Sequence, residues 1–207
     1  MKKLLILLPL LLALCATATA ATTTAQLYTR LQSAYNGLSS FQANVKQSNY
    51  YPQLKRTISY DGMLYFTPGR MLMHFTSPSV QRLQIEGGKV DLYDAQSNTV
   101  FRSTIRTEFS MLNPLEILQL YWNKSTVTIT KEEGRLVSVT LKPKQDELVT
   151  SLAATINSSS GIVQTLSYTD KTGNTVTYSF SNIKPNAGIA ATVWSFSYPQ
   201  GVQIVEQ

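Results

Sequence analysis

The sequence predicts a mainly β protein of the α+β class, in which a curled antiparallel sheet forms a half-open barrel with an apolar cavity lidded by helices. Strand patterns bounded by turn residues recur about every 8 to 15 residues through most of the chain. Only two segments have the spacing of amphipathic helices. Several strand patterns are apolar on both faces, which exceeds what a sheet with one solvated face requires. A sheet curled around an apolar interior, with the helices closing it, accounts for all three observations.

Residues 1–20 have the pattern of a secretory signal peptide, which the mature protein loses. Lys2 and Lys3 form a short basic region, and residues 4–14 are an apolar run too short to span a bilayer as a helix. Residues 18–20 read Ala-Thr-Ala, and small residues at these positions predict cleavage before Ala21. The protein is therefore expected to be exported.

Cys15 raises the alternative of a lipid anchor, because a bacterial lipobox ends in a cysteine that becomes acylated. A lipobox has Gly, Ala or Ser immediately before that cysteine, whereas this chain has Leu14. We therefore predict cleavage at the later site, which removes the single cysteine of the chain. The mature protein then has no disulfide and depends on its apolar core for stability.

Residues 21–207 read as one domain, because no linker, repeat or low-complexity tract interrupts the strand patterns. About 187 residues are enough to bury a core of their own. The formal net charge falls from +6 to +4 when Lys2 and Lys3 are removed, and the remaining charges are scattered. A mild, scattered positive charge on an exported chain argues against nucleic-acid binding.

Two helices are predicted from their start signals and apolar spacing. The first runs from Thr23, which fits a capping box with Gln26, to a stop at Asn36. The second begins at Asn113, a capping residue followed by Pro114 in the first turn. Each has one apolar face, formed by Leu27, Leu31, Ala34, Tyr35 and Leu38 in the first helix and by Leu115, Leu118 and Trp122 in the second.

Alternating apolar and polar residues predict strands over most of the remaining chain. In the first half they cover residues 41–45, 58–66, 80–85, 89–93 and 99–102. In the second half they cover residues 126–130, 135–142, 151–156, 163–168, 175–180 and 194–198. We interpret Asp61-Gly62 as a bulge within one long strand rather than a hairpin turn, because the alternation stays in phase across it.

The strand MLMHF, residues 71–75, lies between two prolines and is apolar on both faces. Met71, Met73 and Phe75 point to one face, and Leu72 and His74 point to the other. Methionine is unbranched and adaptable, so it suits a surface that must fit variable apolar partners. Periodicity alone equally allows an ordinary core that contains methionine.

The sequence offers little for catalysis or metal binding. His74 is the only histidine, and its place mid-strand beside apolar residues predicts a half-buried structural role. The sequence has no Gly-x-Ser-x-Gly elbow, and its dispersed carboxylates lack metal-ligand spacing. The acid pairs Glu132/Glu133 and Asp91/Asp94 adjoin a turn and a strand end, where solvated charge is usual. We therefore predict no enzyme, no metal site and no cofactor.

Five short motifs follow one another along the mature chain. Residues 62–68 (GMLYFTP) start a strand at a glycine and end at a proline, and Pro78 follows the methionine-containing strand. The later motifs are residues 85–94 (IEGGKVDLYD), 113–115 (NPL), 141–144 (LKPK) and 196–202 (FSYPQGV). In order and spacing, this set resembles the periplasmic lipoprotein carrier family LolA.

The resemblance implies a carrier of acylated lipoproteins in the periplasm of a Gram-negative bacterium. It also implies handover from an inner-membrane lipoprotein exporter to an outer-membrane receptor, with residues 21–207 forming a single, monomeric lipoprotein-carrier domain. The candidate lipid-binding residues lie on the apolar strand face and on the second helix. They are Leu64, Phe66, Met71, Met73, Phe75, Leu83, Ile85, Leu115 and Leu118.

Two positions depart from the family pattern. The family often has an arginine before the first proline, where it helps to hold the helical lid, and this chain has Thr67 there. The family has tryptophan where this chain has Met73. Two related functions stay open: a half-barrel sensor or regulator of the cell envelope, and an anchored, LolB-like lipoprotein receptor, which requires a true lipobox at Cys15.

Overall fold

The computed structural model describes residues 21–104 and 114–207, without the side chains of residues 114–116. These residues form one open, curled sheet of twelve strands and two α-helices. The predicted fold class, mainly β with a curled sheet and two helices, is confirmed. The predicted signal peptide, Cys15 and the predicted cap Asn113 lie outside the described residues.

Both helices begin where the sequence predicts. Helix α1 spans Thr24–Tyr35. The Thr23 hydroxyl accepts a 3.2 Å hydrogen bond from the Gln26 backbone, and Gln26 Oε1 accepts a 3.0 Å bond from the Thr23 backbone. This reciprocal pair is the predicted capping box. Helix α2 spans Pro114–Lys124, so it begins at the predicted proline.

The strands fall into two runs along the chain. Before helix α2 they are β1 (Phe41–Tyr51), β2 (Arg56–Thr67), β3 (Arg70–Ser77), β4 (Gln81–Glu86), β5 (Lys89–Asp94) and β6 (Thr99–Thr104). After it they are β7 (Ser125–Glu133), β8 (Leu136–Pro143), β9 (Val149–Asn157), β10 (Val163–Asp170), β11 (Thr175–Pro185) and β12 (Gln203–Glu206).

Strands β1–β6 form one antiparallel meander and strands β7–β11 form another, and the two meanders join side by side. The order across the sheet is β12–β6–β5–β4–β3–β2–β1–β11–β10–β9–β8–β7. Strand β1 pairs antiparallel with β11, which makes one continuous sheet from the two meanders. Strand β12 pairs parallel with β6, so the predicted antiparallel sheet has one parallel pair at its edge.

The predicted bulge at Asp61-Gly62 is confirmed. Strand β2 continues through both residues, and its pairing with β3 shifts register between them. A Cβ at position 62 would lie 2.1 Å from the carbonyl oxygen of His74. Glycine is required here because the backbone of β3 approaches too closely for any side chain.

The predicted strand at residues 194–198 is wrong. The structure has a short 3-10 turn, Ala191–Val193, followed by an irregular segment. The alternating side chains of Trp194, Phe196 and Tyr198 imitate a strand pattern, but they contact side chains of the sheet rather than extending its ladder. Strand β12, which the sequence analysis did not predict, follows this segment.

The two faces of the sheet are covered differently. The helices pack on the face that we call concave, where their side chains share one core cluster with Phe41, Leu64 and Leu152. Residues 191–202, which we call the C-terminal segment, contact the opposite, convex face through Arg70, Arg82 and Asp91. The concave face therefore holds the main core, and the convex face has a cover of its own.

Candidate functional site

The predicted strand residues lie together on the concave face. Strand pairing aligns Leu64 with Met73 and Met73 with Leu83, which forms a row across β2, β3 and β4. A second row aligns Phe66, Met71 and Ile85 in the same way. Phe75 lies opposite Gly62 at the next level and packs 5.7 Å from Tyr60, measured between ring centroids.

The first row continues across two further strands. Leu83 is paired with Leu92, and Leu92 is paired with Phe101. Val90, paired with Ile85, extends the second row by one strand. Val90, Leu92 and Phe101 were not among the predicted lipid-binding residues, although alternation in strands β5 and β6 places them on one face. We call the set Leu83, Ile85, Val90, Leu92 and Phe101 the apolar strip.

Burial divides the candidate residues into two groups. Leu64 is 0% exposed and Met73 is 3% exposed, and both belong to the core cluster with Phe66, Met71 and Phe75. Every residue of the apolar strip is only half-buried. The concave face thus runs from a packed core in its middle to a half-open apolar surface on β4–β6.

The two helices pack against strands β7, β8 and β10, and their side chains join the core cluster of the concave face. Leu118 of helix α2 is 0% exposed and lies in the same core cluster as Met71 and Met73. The same cluster contains further side chains of both helices: Leu27, Leu31, Tyr35, Tyr121 and Trp122. The backbone of Leu115 lies in helix α2, but its side chain is outside the described part of the structure.

Polar contacts join the C-terminal half of helix α2 to the connection between β8 and β9. The backbone N–H of Lys144 donates a 3.0 Å hydrogen bond to the Lys124 carbonyl, and Tyr121 makes a side-chain contact. The Tyr121 hydroxyl donates a 2.8 Å hydrogen bond to Oδ2 of Asp146, in the connection between β8 and β9. Burial and the bond to Asp146 raise the pKa of Tyr121 to about 12. The backbone N–H groups of Leu148 and Val149 also bind Asp146, so this carboxylate is fixed in place.

The two helices also contact each other. The rings of Tyr28 and Trp122 stack with their centroids 5.4 Å apart, and Asn123 Nδ2 donates a 2.9 Å hydrogen bond to the Tyr28 hydroxyl. Because this contact joins α1 to α2 directly, displacement of one helix disturbs the packing of the other.

Helix α1 is anchored more deeply than helix α2. The backbone N–H of Val163 donates a 3.0 Å hydrogen bond to the Tyr35 hydroxyl in a buried site, and burial raises the pKa of Tyr35 well above its ordinary value. Gly161 contacts the helix so closely that a Cβ there would lie 2.1 Å from the carbonyl oxygen of Arg30. These contacts seat α1 against the start of β10.

The sheet also has a lateral gap beside the core. The pairing of β10 with β11 begins at the pair Thr165 and Ser179. The residues before Thr165 and after Ser179 are not paired with each other. A cavity of about 450 Å³ lies at the gap, with Ile162, Phe180 and Ile183 among its lining residues. Phe180 is a core residue, so this opening adjoins the apolar interior.

The chemistry of the concave face is that of apolar binding. The candidate residues carry only aliphatic, aromatic and thioether groups, which bind other apolar groups by excluding water. The histidine lies elsewhere: His74 is half-buried on the convex face, opposite Arg82. Within residues 21–104 and 114–207, the structure has no group of three or more His, Cys, Asp or Glu side chains placed to hold a metal ion.

Comparison with known proteins assigns the family. The model for "Outer membrane lipoprotein carrier protein LolA" matches residues 36–197. This chain belongs to the LolA family. Outer-membrane lipoprotein carrier proteins of Pseudomonas aeruginosa and Pseudomonas syringae are 31% and 29% identical to it over 146 residues, which is 68% of this chain and 68% of each relative.

The fold also resembles a solved structure outside these relatives. An uncharacterised conserved protein from Thermus thermophilus superposes with a TM-score of 0.57 at 10% identity, covering 90% of this chain and all of the other. Among the described helices of this LolA-family chain, none has the length and apolar character needed to cross a bilayer.

Proposed function

We propose that this LolA-family protein is a periplasmic carrier that shields the acyl chains of lipoproteins and moves them from the inner to the outer membrane. The main support is the half-open apolar strip, which continues directly into a core covered by two helices. The names of the family and of its relatives support binding and carriage of lipoproteins rather than catalysis.

The energetics of the cargo explain why such a carrier is needed. A lipoprotein with three acyl chains of roughly 16 carbons has a large apolar surface, and exposing this surface to water is unfavourable. At ~0.8 kcal/mol for each buried methylene, shielding these chains is worth more than ~30 kcal/mol. Acyl chains therefore cross an aqueous compartment only when an apolar surface encloses them.

The structure suggests how space for acyl chains arises. Met71, Met73 and Phe75 share one packed cluster with helix side chains, so acyl chains that enter this cluster must replace contacts within it. Exchange of one apolar partner for another changes the free energy little, since both bury the same strand surface. We propose that acyl chains first bind the apolar strip and then displace helix α2 from the neighbouring core.

A hydrogen bond between helix α2 and the β8–β9 connection is the contact that we propose holds the helix in place. Thr67 stands where the family often has an arginine, and Tyr121–Asp146 is a polar tie between α2 and the sheet in this chain. One such hydrogen bond contributes about 1 kcal/mol to stability. We propose that this modest contribution lets the helix move while the sheet stays folded.

The compartment and the partners complete the proposal. Export by the predicted signal peptide and cleavage before Ala21 would deliver the carrier to the periplasm. There it would receive lipoproteins from an inner-membrane exporter and deliver them to an outer-membrane receptor, acting as a monomer. Intact-mass measurement of the native protein tests the maturation step, because a diacylglycerol-modified Cys15 would instead identify an anchored receptor.

Binding of a purified acylated lipoprotein tests the central claim. We expect the wild-type protein to retain it in solution after detergent removal, and to release a non-acylated variant of the same lipoprotein. Leu83→Glu places a carboxylate on the apolar strip, where acyl chains would desolvate it, so retention should fall at least about tenfold. Thr128→Glu, on the exposed face of β7, is the matched control and should retain the lipoprotein normally.

Two results contradict this function. Equal retention of acylated and non-acylated lipoprotein would show that the acyl chains are not what the protein binds. Normal retention by Leu83→Glu would place the acyl site away from the strip. Thermal melts of both variants distinguish lost binding from lost folding, because Leu83 is half-buried and tolerates a charge better than a core residue does.

A further inference from the structure

A cavity of about 350 Å³ lies on the convex face, between strands β4 and β5 and the C-terminal segment. Residues that line this cavity alternate along strand β4 with residues of the apolar strip. Arg82 and Gln84 flank Leu83 in sequence and therefore point to the opposite face of the sheet. The cavity is therefore separate from the proposed acyl site. Its lining residues are Arg82, Gln84, Glu86, Lys89, Asp91, Trp194, Phe196 and Tyr198.

The two acidic residues of the cavity already have cationic partners. Asp91 accepts two 2.8 Å hydrogen bonds from Arg102, through Nε and Nη2, and a 2.9 Å bond from the Tyr198 hydroxyl. The bonds from Arg102 come first among the contacts that hold the pKa of Asp91 below its usual range. Glu86 forms an ion pair with Arg70, which also lies over the ring of Trp194.

The two remaining cations lack such partners. Among the described residues, no carboxylate lies within ion-pair distance of Arg82 or Lys89. Lys89 is exposed at the Glu86 end of the cavity, and Arg82 lies at the other end, opposite Tyr93 in the next strand. Arg82 and Lys89 thus contribute two positive charges to the cavity, a charge of +2, without a counterion among the described residues.

Arg82 is buried without an anionic partner among the described residues. It is only 6% exposed, yet its contacts are a 2.7 Å hydrogen bond from Nη2 to the Val193 carbonyl and the ring of Phe196, whose centroid lies 4.9 Å from Cζ. Its Nε has no acceptor within the described part of the chain. Burying a charge without a counterion is costly, so a buried guanidinium normally has an anionic partner.

The neighbouring histidine responds to this charge. His74 lies opposite Arg82 in the β3–β4 pair, and its pKa is lowered first by burial and then by the positive charge of Arg82. The positive charge of Arg82 therefore disfavours protonation of His74.

We propose that the convex cavity binds a small phosphate ester, with its phosphate group on Arg82 and its carbon part among the aromatic side chains of Trp194, Phe196 and Tyr198. A dianionic phosphate matches the +2 charge, and guanidinium groups bind phosphate oxygens through directed hydrogen bonds. Lys89 attracts the anion from the exposed end. The volume is at the small end of ligand pockets, which excludes a large cofactor.

Calorimetric titration of the purified protein tests this site. The probes are sodium phosphate and glycerol 3-phosphate, with acetate as a monoanion and chloride as the reference at constant ionic strength. We expect saturable binding of glycerol 3-phosphate and weaker binding of acetate. Trp194 adds a local readout: the chain has two tryptophans, so in a Trp122→Phe background the fluorescence change reports the cavity.

Three variants locate the bound anion. Arg82→Gln should weaken glycerol 3-phosphate binding at least about tenfold, and Lys89→Gln should weaken it several-fold and reduce its salt dependence. Lys142→Gln removes an exposed cation from strand β8, far along the sheet, and should bind normally. If Arg82→Gln does not fold, the binding measured for Lys89→Gln tests the proposal instead, because Lys89 is exposed and its substitution should not affect folding.

Sedimentation with vesicles that contain phosphatidic acid, a phosphate monoester, and with vesicles of phosphatidylcholine alone distinguishes the source of the phosphate. Arg82-dependent binding to the phosphatidic acid vesicles, together with glycerol 3-phosphate binding, identifies a lipid head group. Glycerol 3-phosphate binding without vesicle binding identifies a soluble ester. The proposal is overturned if wild-type protein shows no saturable binding of either phosphate probe, or if Arg82→Gln and Lys89→Gln both bind as wild type does.

Discussion

The Tyr121 hydroxyl donates a 2.8 Å hydrogen bond to Oδ2 of Asp146, joining helix α2 to the connection between β8 and β9. Asp146 also accepts hydrogen bonds from the backbone N–H groups of Leu148 and Val149. Burial alone would raise the pKa of Asp146, but these bonds and the one from Tyr121 hold it below its ordinary value. The carboxylate is therefore a fixed acceptor, and only the tyrosine side of the contact can leave with the helix.

Tyr121→Phe should loosen helix α2 without unfolding the sheet. The substitution removes one hydrogen bond and keeps the ring, so the expected loss of stability is about 1 kcal/mol. Hydrogen exchange should become faster for the amides of α2 and change much less for those of α1, which Tyr35 and Gly161 anchor separately. Tyr50→Phe, at an exposed tyrosine of β1, is the control. Unchanged exchange in α2 would show that the Asp146 contact does not hold the helix.

Gly161→Ala should destabilise the protein more than Gly134→Ala. Both glycines have positive φ, +73° and +60°, so an alanine at either position has the same backbone strain, about 1–2 kcal/mol. A Cβ at 161 also meets the carbonyl oxygen of Arg30, whereas a Cβ at 134 meets open space. The difference between the two unfolding free energies, measured in urea, therefore reports the contact between α1 and the β9–β10 turn. Equal losses would mean that the helix moves aside at little cost.

Stability should decrease as pH falls through the range in which His74 titrates. The folded-state pKa of His74 lies below its ordinary value of 6.5, with burial as the first cause, so the unfolded chain binds the proton more tightly. The contribution of neutral His74 to the stability of the folded protein is therefore complete above pH 6.5. This contribution is lost as the pH falls through the folded-state pKa of His74. His74 is the only histidine, so thermal melts of His74→Gln between pH 7.5 and 5 should be flatter than those of wild type. Parallel curves would assign the pH dependence to other groups.

Leu72→Glu should unfold or strongly destabilise the protein, with a loss of several kcal/mol. Leu72 is 0% exposed on the convex face, between Arg70 and His74, where the C-terminal segment covers the sheet. Met63→Glu is the matched comparison, since Met63 is apolar and on the same face but only half-buried. Melting temperatures that fall equally would show that the C-terminal segment does not set the difference.

Much of the fold follows from local patterns in the sequence. The capping box at Thr23, the start of α2 at Pro114 and the bulge at Gly62 were predicted from a few neighbouring residues each, and all three are present. The alternation of MLMHF correctly placed Met71, Met73 and Phe75 on one face of β3 and Leu72 and His74 on the other. Their role in binding lipid stays a prediction.

The remaining features depend on contacts between distant parts of the chain. Leu72 is completely buried on the face that the C-terminal segment covers, and that segment lies more than 100 residues later in the sequence, so no local pattern reveals this cover. Trp194, Phe196 and Tyr198 alternate as in a strand, but their positions are set by Arg70, Arg82 and Asp91.

The pairing of β1 with β11 has a consequence for folding kinetics. Within each meander, neighbouring strands are joined by short connections and can pair soon after they are made, but this pair joins Phe41–Tyr51 to Thr175–Pro185. Loop closure over such a separation is slow, so the two meanders should form first and associate in a later, rate-limiting step. Until they associate, each presents a bare apolar surface and an unpaired strand edge to its surroundings. The newly made chain is therefore most prone to aggregate at the same apolar surface that we propose binds acyl chains in the folded protein.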